Sequence, residues 1–174
     1  KKFTFKTPVN LYASTANPGA AQMGDELLNA YKASGLSISH TKPDFGDGRR
    51  MSTDLRRMSR DVANDIRRLS KDLIFGAGKT DKATHMLLYL CNNTFTGEAG
   101  VTLAEEVRAA MTNKLPIILV HENDPERDGC EFSRFFETTP DDLILSGLYR
   151  TIAVACYPSQ HRQVSLAHSP TPPT

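Results

Sequence analysis

Two adjacent carboxylates, Glu105 and Glu106, lie on a helix-patterned stretch that follows the polar pair Asn92-Asn93. The apolar run Met86-Leu87-Leu88-Tyr89-Leu90-Cys91 stops at that pair, and a second run, Pro116 to Val120, follows the helix pattern. Short apolar runs bounded by turn signals read as strands buried on both faces, and two such runs joined by a helix form a right-handed βαβ unit. Asn92, Asn93 and the loop through Gly100 then sit at the carboxyl edge of the sheet, where open α/β folds bind ligands. A carboxylate on the helix beside that edge is a candidate for chemistry on such a ligand. Leu103, Val107, Ala110 and Met111 share the helix face toward the sheet. Glu106, one step from Val107, borders that face and is expected within the first two turns, while Glu105 points further out.

Other candidate chemistries weigh less. Gly76-Ala77-Gly78-Lys79-Thr80 ends in Gly-Lys-Thr, but a phosphate-binding loop must follow a strand and open a helix, and this one follows a helix and precedes a strand. His85 and His121 stand alone at strand ends, and Cys91, Cys130 and Cys156 are far apart without C-x-x-C spacing, so no metal site is expected. Arg49, Arg50, Arg56, Arg57, Arg60, Arg67, Arg68 and Lys71 make a basic stretch, yet Asp54, Asp61, Asp65 and Asp72 offset half of it and no aromatic residue interleaves. It reads as a solvated helix face laced with ion pairs, and a nucleic-acid partner is not expected.

The elements that must position Glu106 follow from periodicity. Val9 to Ala13 reads as the first strand and ends in Ser14-Thr15-Ala16-Asn17-Pro18-Gly19. Met23, Leu27, Leu28 and Tyr31 mark a helix closed by Gly35, and Leu36 to Ser39 forms a second strand. After a loop from Thr41 to Met51, the residues Leu55, Met58, Val62, Ile66, Leu69 and Leu73 place a long amphipathic helix over Asp54 to Phe75. Beyond the central βαβ unit come a short helix around Phe132, Phe135 and Phe136, a helix capped by Thr139, and a last strand from Thr151 to Tyr157. Strand and helix thus alternate into a three-layer α/β fold with a five-stranded parallel sheet, flavodoxin-like in its order 2-1-3-4-5.

At 174 residues, 39% hydrophobic and 24% charged, the chain reads as one soluble domain over residues 1–160 with a Pro-rich linker or tail over 161–174. A net charge of +1 excludes a uniformly basic binder, and no apolar stretch is long enough to span a membrane. The isolated cysteines suit a reducing, cytoplasmic compartment, and the Lys1-Lys2-Phe3 start suggests a domain cut from a longer protein.

Glu106-Val107-Arg108-Ala109-Ala110-Met111, leading into Leu115-Pro116-Ile117-Ile118-Leu119-Val120, resembles the NAD-cleaving branch of the Toll/interleukin-1 receptor (TIR) domains. There a glutamate in a Glu-Ile/Leu-x-x-Ala-Leu context lies on the helix after the third strand. The resemblance covers most of Val9 to Tyr157 and is specific from Met86 to His121. The sequence departs from the family at three places. Val9-Asn10-Leu11-Tyr12-Ala13-Ser14-Thr15 lacks the basic residues after the first strand, Thr102 replaces an aromatic residue one turn before the glutamate, and the loop after the second strand lacks Arg-Asp-x-x-Pro-Gly.

The resemblance implies cleavage of the nicotinamide N-glycosidic bond, with NAD as substrate and no cofactor. Glu106 would face the oxocarbenium-like ribose. Ser14, Thr15, Asn92 and Asn93 would bind ribose or phosphate, and Phe45 would cover the base. The alternative is a non-catalytic interaction or nucleotide-sensing module that self-associates or serves other domains of a larger signalling protein.

Overall fold

The computed structural model describes residues 7–31, 35–45, 82–158 and Arg162. The chain divides into two compact units, one of Lys1–Pro43 with Ala83–Thr174 and one of Asp44–Lys82. The expected long helix from Asp54 to Phe75 lies outside the described residues.

The first unit carries a five-stranded sheet of order β2-β1-β3-β4-β5 with every pairing parallel. Its strands are β1 (Val9–Ala13), β2 (Leu36–Ser39), β3 (His85–Leu90), β4 (Ile117–Glu122) and β5 (Val154–Cys156). Helix α1 (Ala20–Ala30) follows β1, and α2 (Gly97–Thr112) links β3 to β4. The short helices α3 (Arg134–Thr138) and α4 (Asp141–Leu145) lie between β4 and β5. This is the three-layer α/β architecture that the alternation of patterns implies. Every residue of β1 and β3 is buried, as expected of central strands covered on both faces.

The strand period of two divides the core into two layers. Val9, Leu11, Ala13, Leu87, Tyr89 and Val120 pack with Ala20, Met23 and Leu27 of α1. The alternate set, Tyr12, Met86, Leu88, Leu90 and Leu119, is equally buried and turns to the opposite face. That layer receives Leu103, Val107 and Ala110 of α2, each 0% exposed. Leu103 and Val107 contribute about 1.5–3 kcal/mol each, and the single methyl of Ala110 less.

Beyond β4 the chain is held by rings. His121 meets Phe132 and Phe135 edge-on, each at 5.4 Å, and Tyr149 joins Phe132 and Phe136. The Arg108 guanidinium grips Asp142 through two bonds of 2.6 and 2.8 Å, tying α2 to α4.

Three local expectations change. Helix α2 begins at Gly97, so residues expected to form the loop through Gly100 are its first turn. Helix α1 ends at Ala30 with Tyr31 as C-cap, short of Gly35, whose carbonyl instead accepts from the N–H of Val9. Thr139 does not cap α4; Pro140 stands at that position, and the Thr139 hydroxyl bonds the Tyr149 phenol at 2.6 Å. Pro140 is the last extended residue before the helix, and its own carbonyl accepts the Leu143 N–H at 3.0 Å, so the start of α4 closes on backbone while the Thr139 hydroxyl makes a tertiary contact.

Candidate functional site

Glu106 is the tenth residue of α2, about 14 Å along the helix axis from Gly97 at 1.5 Å per residue. That places it in the third turn, beyond the two turns expected, because Gly97 to Gly100 are helical. Glu105 is exposed, whereas Glu106 is 8% exposed. The difference follows from the helical period: Leu103, Val107 and Ala110 fix the buried stripe, and position 106 lies on its flank.

The partner of Glu106 comes from β1. Tyr12 Oη donates to Glu106 Oε2 at 2.9 Å in a buried bond between residues 94 apart in sequence. Among the described residues no hydrogen bond engages Oε1, and no Lys, Arg or His pairs with this carboxylate. Burial pushes the Tyr12 phenol up to about 12; the Ser14 hydroxyl beside it pulls the other way, and the Glu106 carboxylate adds to the rise. The phenol therefore remains a donor at neutral pH. Ser14, two residues on from Tyr12 and on the same face by the strand period, is 1% exposed and accepts the N–H of Ala16 at 3.0 Å.

The structure thus brings Glu106 and Ser14 together around Tyr12. No hydrogen bond among the described residues links Thr15, Asn92 or Asn93 to the side chains of Glu106, Tyr12 or Ser14. Thr15 is exposed, as are Asn92 and Asn93 in the turn after β3. Asn92 donates its backbone N–H to the Asp128 carbonyl at 2.7 Å, and the Asn93 carbonyl accepts from the Thr96 hydroxyl at 2.8 Å. These are turn-building bonds. Phe45 belongs to the second unit.

No family model, curated protein or solved structure matches this chain. The site is therefore read from its own geometry.

A second polar cluster occupies the α1 layer of the sheet. Glu122, 0% exposed at the end of β4, accepts from Tyr89 Oη at 2.6 Å, from Arg162 at 2.8 Å and from the N–H of Asp124 at 2.9 Å. Arg162 also holds Glu26 of α1 at 2.6 Å, and Arg127 pairs with the other oxygen of Glu26. Burial works against the Arg162 charge, but its two carboxylate partners outweigh it and keep the guanidinium protonated. A cavity of about 450 Å³ borders this cluster, lined by Gly19, Gln22, Glu26, Tyr89, Arg127 and Asp128 among others, and not by Glu106. Among the described residues no group of three His, Cys, Asp or Glu side chains is gathered as for a metal. No helix among them is long and apolar enough to cross a membrane.

Sequence reasoning missed Tyr12, Glu26, Glu122, Arg127 and Arg162. One signal was present for Glu122: the apolar run of β4 continues through His121 to an acid, so that an ionisable group closes a central strand. A buried carboxylate there needs partners from elsewhere in the chain.

Proposed function

We propose that this chain is a TIR-like domain that binds NAD, or a related pyridine dinucleotide, and cleaves the bond between nicotinamide and ribose, with Glu106 as the reacting-site carboxylate. The observation that carries the reading is the Glu106 carboxylate itself: buried, fixed through Oε2 by the Tyr12 phenol, and without a cationic partner among the described residues. No ion pair among the described residues offsets that carboxylate, which leaves it open to a cationic centre. In the reaction, the C1′–N bond breaks and nicotinamide leaves with the bonding electron pair. The ribosyl centre passes through an oxocarbenium-like state, and water adds at C1′ and gives up a proton. Glu106 stabilises the positive charge as it develops. On this reading Ser14, beside the Tyr12 phenol at the carboxyl end of β1, would meet a ribose hydroxyl.

The test is release of the product fluorophore from a fluorescent NAD analogue at high protein concentration. Wild type turns the analogue over, and Glu106→Ala loses at least about 100-fold, the scale of one electrostatic contact made in the transition state.

Two observations favour a second reading. The 450 Å³ cavity lies on the opposite face of the sheet from α2, and Thr102, one turn before Glu106, is exposed and offers no stacking surface. On that reading the domain senses a nucleotide or assembles with partners without cleaving anything. A wild type that binds NAD by calorimetry yet releases no nicotinamide selects it.

A further inference from the structure

We infer that Tyr12 is the positioning residue for Glu106, holding Oε2 so that Oε1 is the oxygen offered to a cationic centre of the ligand. This rests on the reading of Glu106 as the reacting-site carboxylate.

The sheet contains two buried Tyr–Glu pairs, and their difference carries the inference. On the α1 face, Tyr89 donates to Glu122 at 2.6 Å, and Arg162 answers the same carboxylate oxygen at 2.8 Å. That carboxylate is neutralised in place, as a structural acid must be when it is removed from water. On the α2 face, Tyr12 donates to Glu106 at 2.9 Å, and among the described residues no cation answers it. A phenol orients a carboxylate without cancelling its charge. The arrangement therefore suits a ligand that brings its own positive charge, or develops one, and it disfavours an anionic group at the same point.

The choice of side chain fits that role. A glutamate on a helix flank has three rotatable bonds, and fixing them costs about 1.5–2 kcal/mol of side-chain entropy. Tyr12 has two, is 2% exposed, and stands on a central strand of which every residue is buried. The ring is thus fixed by packing before any ligand arrives, and the carboxylate it holds is fixed with it. Ser14 completes the arrangement from the same strand face, and its own oxygen is oriented by the N–H of Ala16.

Steady-state kinetics on the fluorescent NAD analogue test this with wild type, Tyr12→Phe, Glu106→Gln and the double variant. Tyr12→Phe should lower kcat by roughly 10–100-fold while KM stays within about 2-fold, because orientation and not binding is lost. In the Glu106→Gln background, Tyr12→Phe should cost nothing further, since the two residues act as one unit. A merely structural tyrosine would instead lower the melting temperature and leave per-molecule kcat unchanged. Should Tyr12→Phe fail to fold, fluorotyrosine at position 12 keeps the shape and makes the phenol more acidic; an unchanged kcat then overturns the inference. Full activity in Tyr12→Phe also overturns it while leaving Glu106 in place. Wild type without turnover removes the Glu106 reading and this inference with it, whereas turnover that survives Glu106→Gln removes only the role given to Glu106 and its positioning partner.

Discussion

The Asn17 side chain closes the sheet at Tyr89: its Oδ1 accepts the Tyr89 N–H at 2.8 Å, and its Nδ2 donates to the Tyr89 carbonyl at 2.8 Å. β1 ends at Ala13, so the last residues of β3 have no neighbouring strand on that side. A carboxamide carries one donor and one acceptor at the spacing of a peptide group, and Asn17 extends the ladder as a strand would. Asn17→Ala would leave the Tyr89 N–H orphaned, while the Tyr89 carbonyl keeps the Thr94 hydroxyl at 3.0 Å. The expected loss is about 1.5–4.5 kcal/mol in urea unfolding, the cost of one buried unsatisfied donor plus a neutral hydrogen bond. A variant with wild-type stability would show that solvent reaches this edge.

Gly19 and Gly100 are fixed by close approach. Gly19 has φ +80, and a Cβ there would lie 2.5 Å from Cε1 of Tyr89. At Gly100 it would lie 2.2 Å from the backbone carbon of Phe95. Backbone yields less readily than a ring, so Gly100→Ala should be the more damaging, by about 2–4 kcal/mol, although alanine favours helices. Thermal melts of the two variants would rank them. The reverse order would mean that the Phe95 turn moves more easily than the Tyr89 ring.

Gly100 also explains why part of the site was illegible in the sequence. Thr96-Gly97-Glu98-Ala99-Gly100 reads as a loop because glycine is a poor helix former, and that reading set Glu106 near the start of α2. Tertiary contact overrides propensity here: the helix passes so close to Phe95 that only glycine fits. The strand order was legible because central strands of a parallel sheet are continuous apolar runs, and Val9–Ala13 and Leu36–Ser39 have the bounds expected. The burial of Glu106 and the exposure of Glu105 followed from the helical stripe. Its partner did not, since nothing in Val9-Asn10-Leu11-Tyr12-Ala13 marks which layer Tyr12 enters until the faces covered by α1 and α2 are known. Glu26 and Arg162 are 136 residues apart, and no local pattern links them.

Arg162, beyond β5, pairs with two carboxylates, Glu26 and Glu122. Its side chain is 11% exposed and that of Glu122 is 0% exposed, so solvent screens the pair little. Arg162→Ala should cost about 3–5 kcal/mol because it leaves a buried carboxylate without its cation. Arg162→Met combined with Glu122→Leu should lose clearly less than the sum of the single variants, although Tyr89 and the Asp124 N–H then lack their acceptor. Additive losses in a double-mutant cycle by chemical denaturation would mean that the two side chains do not act as a pair.

Stability should fall on both sides of a plateau from about pH 7 to 9, with the His85 imidazole titrating on the acid side and, on the alkaline side, first the Cys156 thiol that burial pushes from 9.0 to about 11 and then the Tyr12 and Tyr89 phenols. On the acid side, burial holds the His85 imidazole below its ordinary 6.5. The unfolded chain then takes up a proton that the folded chain refuses, so the His85 contribution is present above about 6.5 and is lost as pH falls through the depressed folded value. On the alkaline side, burial, opposed by Ser14 and reinforced by Glu106, pushes the Tyr12 phenol from 10.0 to about 12. Burial and Glu122 raise that of Tyr89 as well, against the pull of Arg162. Here the unfolded chain gives up protons that the folded chain retains. The tyrosine contribution is complete below about pH 10 and is lost as pH rises through the folded values, by roughly 2–3 kcal/mol for the shift at Tyr12. Melting temperatures across pH, read beside tyrosinate absorbance, would locate both limbs. Tyr12→Phe should shallow the alkaline limb and leave the acid limb in place. An unchanged alkaline limb in that variant would mean that the Tyr12 phenol ionises as freely in the folded chain as in the unfolded one, and a donor that ionises so freely cannot be the one fixing Glu106.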